Sequence, residues 1–178
     1  MSHGHATGCR LGRPDTQQHQ APVLRDDLSF GLESPLTADL DLLFRRHEAD
    51  MRTETPPESI HMVPRERLAA AGIAFFVLRR SGRPVGMAAL KTLDPAHVEI
   101  KSMHVLAEAR GKGLSRLMLD HLIAHARQSG VTRVSLETGM QPGFGAARAL
   151  YRGAGFRDCP PFADYRSDPN SVFMTLAP

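Results

Sequence analysis

Hydrophobic positions along the chain switch between two periods, and each period marks an element. Leu40, Leu43, Phe44 and His47 recur every three to four residues, as one stripe of an amphipathic helix does, after a turn at Ser34-Pro35-Leu36-Thr37 that ends in a suitable cap. Pro56 and Pro57 stop anything helical. A short second helix is predicted over residues 64–71, with a proline at its start and Gly72 at its end. The clearest helix is predicted over residues 114–129: Leu114, Leu117, Met118, Leu122 and Ala126 form its stripe, with Arg116, Asp120 and Arg127 opposite and Gly130 as terminator. A last helix is predicted over residues 146–154, closed by Gly155.

The intervening segments have the period of strands. Val23-Leu24 and Leu28-Ser29-Phe30 predict a first strand, and residues 73–78 and 85–90 flank the turn Ser81-Gly82-Arg83-Pro84 as an antiparallel hairpin. After Asp94-Pro95, the run HVEIKSMHV (residues 97–105) alternates. Val98, Ile100, Ser102 and His104 are expected on one face, and Glu99, Lys101, Met103 and Val105 on the other. Residues 131–138 and 171–176 predict two more strands, separated by the last helix and the proline-rich loop Cys159-Pro160-Pro161. Interleaved strands and helices imply an α/β domain over residues 23–178.

Composition sharpens this. Residues 1–22 have almost no apolar content and are expected to form a flexible tail, because they bury too little to offset ordering entropy. With 178 residues in all, the rest makes one domain. Two cysteines, Cys9 and Cys159, argue against a disulfide scaffold and for a reducing, cytoplasmic setting. The longest apolar run, residues 68–78, is far short of the ~20 residues that cross a bilayer, and no secretory signal is evident, so no membrane is expected. The net charge of +3 comes from scattered arginines, with no Trp and two Tyr, a poor match to nucleic acid but a fair one to a small polyanion.

The chemistry lies in Glu108-Ala109-Arg110-Gly111-Lys112-Gly113-Leu114-Ser115-Arg116, between a strand and the strongest helix. Two glycines let the backbone turn tightly and approach a ligand, and the first-turn N–H groups of the helix carry about half a positive charge. Arg110, Lys112 and Arg116 add full charges, so a pyrophosphate matches better than a lone carboxylate. The bland alternative is a loop that merely joins strand to helix. A Walker loop is excluded by spacing, and G-x-G-x-x-G by Arg116 in the third glycine's place.

This segment resembles the Q/R-x-x-G-x-G/A signature of the GNAT superfamily of acetyl-CoA-dependent N-acetyltransferases, with Glu108 departing at the first position. The run Ala149-Leu150-Tyr151-Arg152-Gly153-Ala154-Gly155-Phe156 is similar to the family's last helix, with Phe144 where many members have Asn. The resemblance implies a mixed, mostly antiparallel central sheet flanked by helices, with acetyl-CoA between splayed parallel central strands. It implies cofactor contacts from Met103, His104, Val105, Arg110, Gly111, Lys112, Gly113, Leu114, Ser115, Arg116 and Tyr151, and no metal.

The implied reaction is direct attack of a small-molecule amine on the thioester, and an ammonium with a pKa of about 10 must first lose a proton. Glu99 lies where the family places a base; its other reading is a strand carboxylate paired with Lys101 or an arginine. Glu137 could supplement or replace it. Tyr151 matches the family's proton donor to the leaving thiolate, or is a packing tyrosine. The Val105 N–H is a candidate to polarise the thioester carbonyl.

His104 is expected in a structural or acceptor-lining role, and His121 with His125 in packing rather than metal binding. His3, His5, His19 and Cys9 are too irregularly spaced to favour a metal. Residues 56–61 and 160–165 are expected as loops over the acceptor pocket. A peptide acetyltransferase and a non-catalytic acyl-CoA sensor stay open as alternatives, as does a homodimer.

Overall fold

The computed structural model describes Met1 and residues 27–178. The expected tail, the Val23-Leu24 start of the first strand and the tail's His and Cys side chains lie outside these residues. The strands are β1 (Leu28–Leu32), β2 (Ile73–Arg80), β3 (Arg83–Asp94), β4 (His97–Val105), β5 (Arg133–Gly139), β6 (Arg157–Asp158) and β7 (Ser171–Leu176). They form one sheet in the order β1-β2-β3-β4-β5-β7-β6, antiparallel throughout except for β4 against β5. The helices are α1 (Asp41–Glu54), α2 (Leu114–Gln128) and α3 (Gly145–Gly153). The predicted mixed, mostly antiparallel sheet with flanking helices is the observed one.

Element bounds differ from expectation in three places. The second helix is a short 3₁₀ turn, Arg65–Ala69, because a single apolar anchor, buried Leu68, gives it nothing to wind around. The β3 strand runs well beyond residues 85–90. The two-residue β6 is too short to leave a period in the sequence.

Alternation along β2 divides the core between the helix layers. Phe75 stacks on Phe44 of α1 at 5.8 Å, whereas Phe76 packs against His121 and His125 of α2 at 6.1 and 5.1 Å. Both histidines therefore act as core-facing rings, as expected of them. Met118, Leu119 and Leu122 of α2 are fully buried, each worth roughly 1.5–3 kcal/mol of apolar transfer.

Two irregularities in β4 shape everything around it. Its parallel register with β5 runs from His97–Arg133 to Ile100–Leu136 and stops, so the two strands part from Lys101 onward. Opposite β3, the pairs Met87–His104 and Ala89–Lys101 enclose an extra residue on β4, a bulge at which Ser102 takes φ 51°. The bulge inverts the alternation beyond it. Contrary to the strict pleat, His104 joins Glu99 and Lys101 on the α1 face, where its ring lies 5.3 Å from that of His47. Val105 turns to the α2 face, paired with Gly86.

Gly86 is where α2 sits closest to the sheet: a Cβ there would stand 2.9 Å from the Met118 sulfur and 3.1 Å from the His104 carbonyl. Gly86→Ala is expected to lower stability by about 1–3 kcal/mol, read as a fall in Tm by calorimetry. An unchanged Tm would show that this contact is slack.

Candidate active site

The loop after β4 is held in its turn by its own backbone. Gly111 and Gly113 sit at φ 73° and 78°, a region that favours glycine, and a Cβ at either would meet nothing within 4 Å. Gly113 caps α2 without a side-chain bond, and its carbonyl takes the Leu117 N–H. The N–H groups of Leu114, Ser115 and Arg116 precede that first bond and point out of the helix end. They face a cavity of about 570 Å³ that also takes in Met103, His104 and Tyr151.

Side chains brace this cradle from beneath. Arg110 donates from Nε to the Val105 carbonyl at 2.9 Å and from a terminal nitrogen to Asp50 of α1 at 2.6 Å. Arg116 is bound by Asp120 one turn on, and Lys112 reaches the Glu108 carbonyl at 3.2 Å. Because the Leu106 N–H bonds the Val85 carbonyl, the alternation of an antiparallel pair turns the Val105 N–H away from β3, into the gap beside β5. Beside this gap His104 Nε2 is buried without a hydrogen-bond partner. An orphaned buried donor or acceptor, free first-turn amides and two glycines under open space fit a polar, anionic ligand.

Across the splay lies a second, larger cavity of about 920 Å³, floored by β3 and β4 and roofed by residues 58–64 and 163–170. Both predicted loops take part. Glu99 is on its floor, 1% exposed, and accepts a bond from the Tyr165 hydroxyl at 2.6 Å; Lys101 Nζ lies 3.3 Å from the same carboxylate oxygen. Lys101 in turn donates to the Tyr165 oxygen at 2.6 Å. Glu99 is thus no surface carboxylate, although it does pair with Lys101. Burial, together with the charge of Glu99, pushes the Tyr165 phenol well above its usual range, so it stays a donor.

A small space of about 110 Å³ lies between the two cavities and shares lining residues with each; Lys101, Met103, Glu137 and Tyr151 line it. The Tyr151 hydroxyl lies 3.7 Å from the Met103 sulfur, and burial, with the nearby charge of Glu137, pushes its pKa up to about 12. Glu137 accepts a bond from the Ser171 hydroxyl at 2.7 Å, and burial raises its pKa above the ordinary value. Tyr151 thus lines this passage, and Glu99, far from it in sequence, lies on the larger cavity next to it.

Comparison with known proteins decides what this passage belongs to. Residues 41–156 match the acetyltransferase (GNAT) family. The chain belongs to the GNAT acetyltransferase family. It is 45% identical over 133 residues to the uncharacterized N-acetyltransferase YsnE of Bacillus subtilis, spanning 75% of this chain and 88% of that one. It is 36% identical over 150 residues to an IAA acetyltransferase of Azospirillum brasilense, spanning 83% and 96%.

Among solved structures, a Klebsiella pneumoniae protein provisionally described as an acyl-CoA N-acyltransferase superposes with a TM-score of 0.70 at 27% identity, over 84% and 97% of the two chains. YncA of Salmonella typhimurium, provisionally described as an acetyltransferase and solved with its cofactor acetyl-CoA, gives 0.61 at 20% identity over 85% and 94%. The protein is an N-acetyltransferase of GNAT type. Among the described residues no helix is long and apolar enough to cross a membrane, and no group of three or more His, Cys, Asp and Glu gathers as a metal site.

Sequence reasoning missed three residues of this GNAT site: Asp50 and His47 on α1, and the role of Tyr165. His47 appeared only as one apolar-stripe position, and Asp50 carried no signal, since its partner Arg110 lies sixty residues away. Burial holds His47 and His104 largely neutral, each with its pKa lowered to about 4.

The unfolded chain returns both histidines toward 6.5, so between about 6.5 and about 4 it binds more protons than the fold does, and stability falls as pH drops through that window. Urea unfolding at neutral pH and near about pH 5 should show this loss. His47→Leu should show less of it, and equal losses in both proteins would remove these histidines as its source.

Proposed function

We propose that this GNAT protein transfers the acetyl group of acetyl-CoA to the amine of a small molecule by direct attack, without an acyl-enzyme. The observation that carries this reading is adjacency: an anion cradle and a carboxylate-floored cavity flank one small space, sharing with it Met103 and Tyr151 on the cradle side and Lys101 on the other. Bound acetyl-CoA would supply an activated acyl group as a thioester.

The amides of residues 111–116 would grip its diphosphate, and Lys112 and Arg116 would add charge at the rim. Met103, His104 and Val105 would flank the arm that runs from the cradle into the splay. The Val105 N–H, turned into that gap, would stabilise negative charge on the acyl oxygen. Glu99 would take the proton of the incoming ammonium, and Tyr151, protonated at any physiological pH, would deliver one to the departing sulfur. Cys159 lines none of the three cavities, which supports attack without a covalent enzyme intermediate. A cavity of about 920 Å³ has the size of a small-molecule site.

Glu137 is a second reading for the base. It lines the small space itself and burial raises its pKa against the opposing charge of Lys101; among the described residues it forms no ion pair, whereas Glu99 pairs with Lys101. The two variants Glu99→Gln and Glu137→Gln separate them: loss of the true base is expected to lower kcat by about 10²–10⁴-fold and to remove the alkaline rise of the rate profile. Tyr151→Phe should lower kcat with little change in KM for acetyl-CoA.

Free thiol release from acetyl-CoA, followed over a panel of amines, amino acids, peptides and IAA, tests the acceptor class. Release with peptides or IAA alone would replace the small-amine reading. No release beyond hydrolysis would favour a sensor. Gly111→Val is expected to abolish heat of coenzyme A binding in calorimetry while the far-ultraviolet spectrum is kept; retained binding would move the cofactor elsewhere.

A further inference from the structure

The larger cavity carries an unspent charge. Lys91 of β3 is the direct cross-strand partner of Glu99, on the same face of the sheet, with their Cβ atoms about 5 Å apart. Glu99 nevertheless makes its ion pair with Lys101 and its hydrogen bond with Tyr165. Lys91 is half-buried on the cavity floor and has no hydrogen-bond or ion-pair partner among the described residues. Arg67 and Arg166 line the same cavity and have no side-chain partner among the described residues, but both are exposed to water. The cavity's unpaired carboxylates, Glu58 and Asp164, are on the roofing loops and exposed to water, while Asp168 is taken up by the Asn170 N–H. The floor beside Glu99 is therefore positive and the roof mixed.

A half-buried ammonium with no counter-ion is a poor thing for a fold to keep unless a ligand supplies the anion. Lys91 faces Glu99 from the neighbouring strand without forming an ion pair with it, so an amine at the Glu99 carboxylate lies within reach of a lysine side chain, and a carboxylate carried near the reacting nitrogen meets both groups. From this we infer that the acceptor is an α-amino acid or a close analogue. Its amine is presented to Glu99, and its carboxylate is held by Lys91 with help from Arg67. The specificity residue is Lys91, which binds the acceptor and takes no part in proton transfer. This inference rests on the small-molecule reading above and narrows it.

Matched acceptors test it. The twenty common amino acids and their α-amides carry the same side chains and an acetylatable amine, but only the acids carry the carboxylate. Thiol release is expected with one or a few of the acids, and kcat/KM for the corresponding amide should be lower by at least about tenfold, which is about 1.4 kcal/mol. Lys91→Met should raise KM for the preferred acid by a similar factor, leave kcat and the KM for acetyl-CoA near their original values, and abolish the preference over the amide. Lys91→Arg should restore part of it. A thermal melt and coenzyme A titration of each variant show that the fold and cradle survive.

Equal rates for acid and amide, or a preference unchanged by Lys91→Met, would overturn the carboxylate subsite and leave the small-amine transferase standing. Release with simple amines or polyamines and none with amino acids does the same. Release with no small amine at all removes the underlying reading, and this inference goes with it.

Discussion

The break in pairing between β4 and β5 is the constraint on which the rest of the molecule depends. Parallel hydrogen bonds hold the two strands from His97 to Ile100 and then end. From Lys101 on, β4 has only β3 beside it, and its other edge carries main-chain donors with no partner strand. Buried main-chain groups without partners are costly, so such a gap persists only where a polar ligand or water can complete them. A continuous sheet would have filled this place with backbone bonds, and neither the cradle nor the passage to the larger cavity would exist.

The bulge at Ser102 works with this break. One extra residue, at φ 51°, moves His104 across the sheet to the side of Glu99 and Lys101, where α1 covers it. There Asp50 ties the helix to Arg110, and Arg110 ties back to the Val105 carbonyl, so a single chain of hydrogen bonds fixes α1, the end of β4 and the glycine turn together. These are partly exposed ion pairs, and their value lies more in holding geometry than in net stability. The neutral His47 and His104 rings fill the space behind without adding positive charge to a site already rich in it.

On the opposite side of the splay, charge is arranged differently. Glu99 is buried with one carboxylate oxygen held by Tyr165 and Lys101, while Lys91 across from it is left over. A site that accepts a neutral nucleophile needs a group to remove its proton and something to orient the remainder of the molecule. Tyr165 comes from a loop distant in sequence and holds both charged groups at once, which couples the roof of the cavity to its floor.

By itself the sequence determined the element order, the helix stripes of α1 and α2, the glycine turn that opens α2, and the family to which these motifs belong. Those features are local: a period of 3.6 or 2, or a glycine at positive φ, is written in a few consecutive residues. Glu99 and Tyr151 were singled out as candidates through the resemblance, but not their surroundings. Only the tertiary structure decided the face of His104, the partners of Glu99, the brace from Asp50 to Arg110 and the isolation of Lys91. Each of these depends on a bulge or on contacts between residues far apart in the chain, and such contacts leave no periodic trace in sequence because a single polar residue suffices to make them.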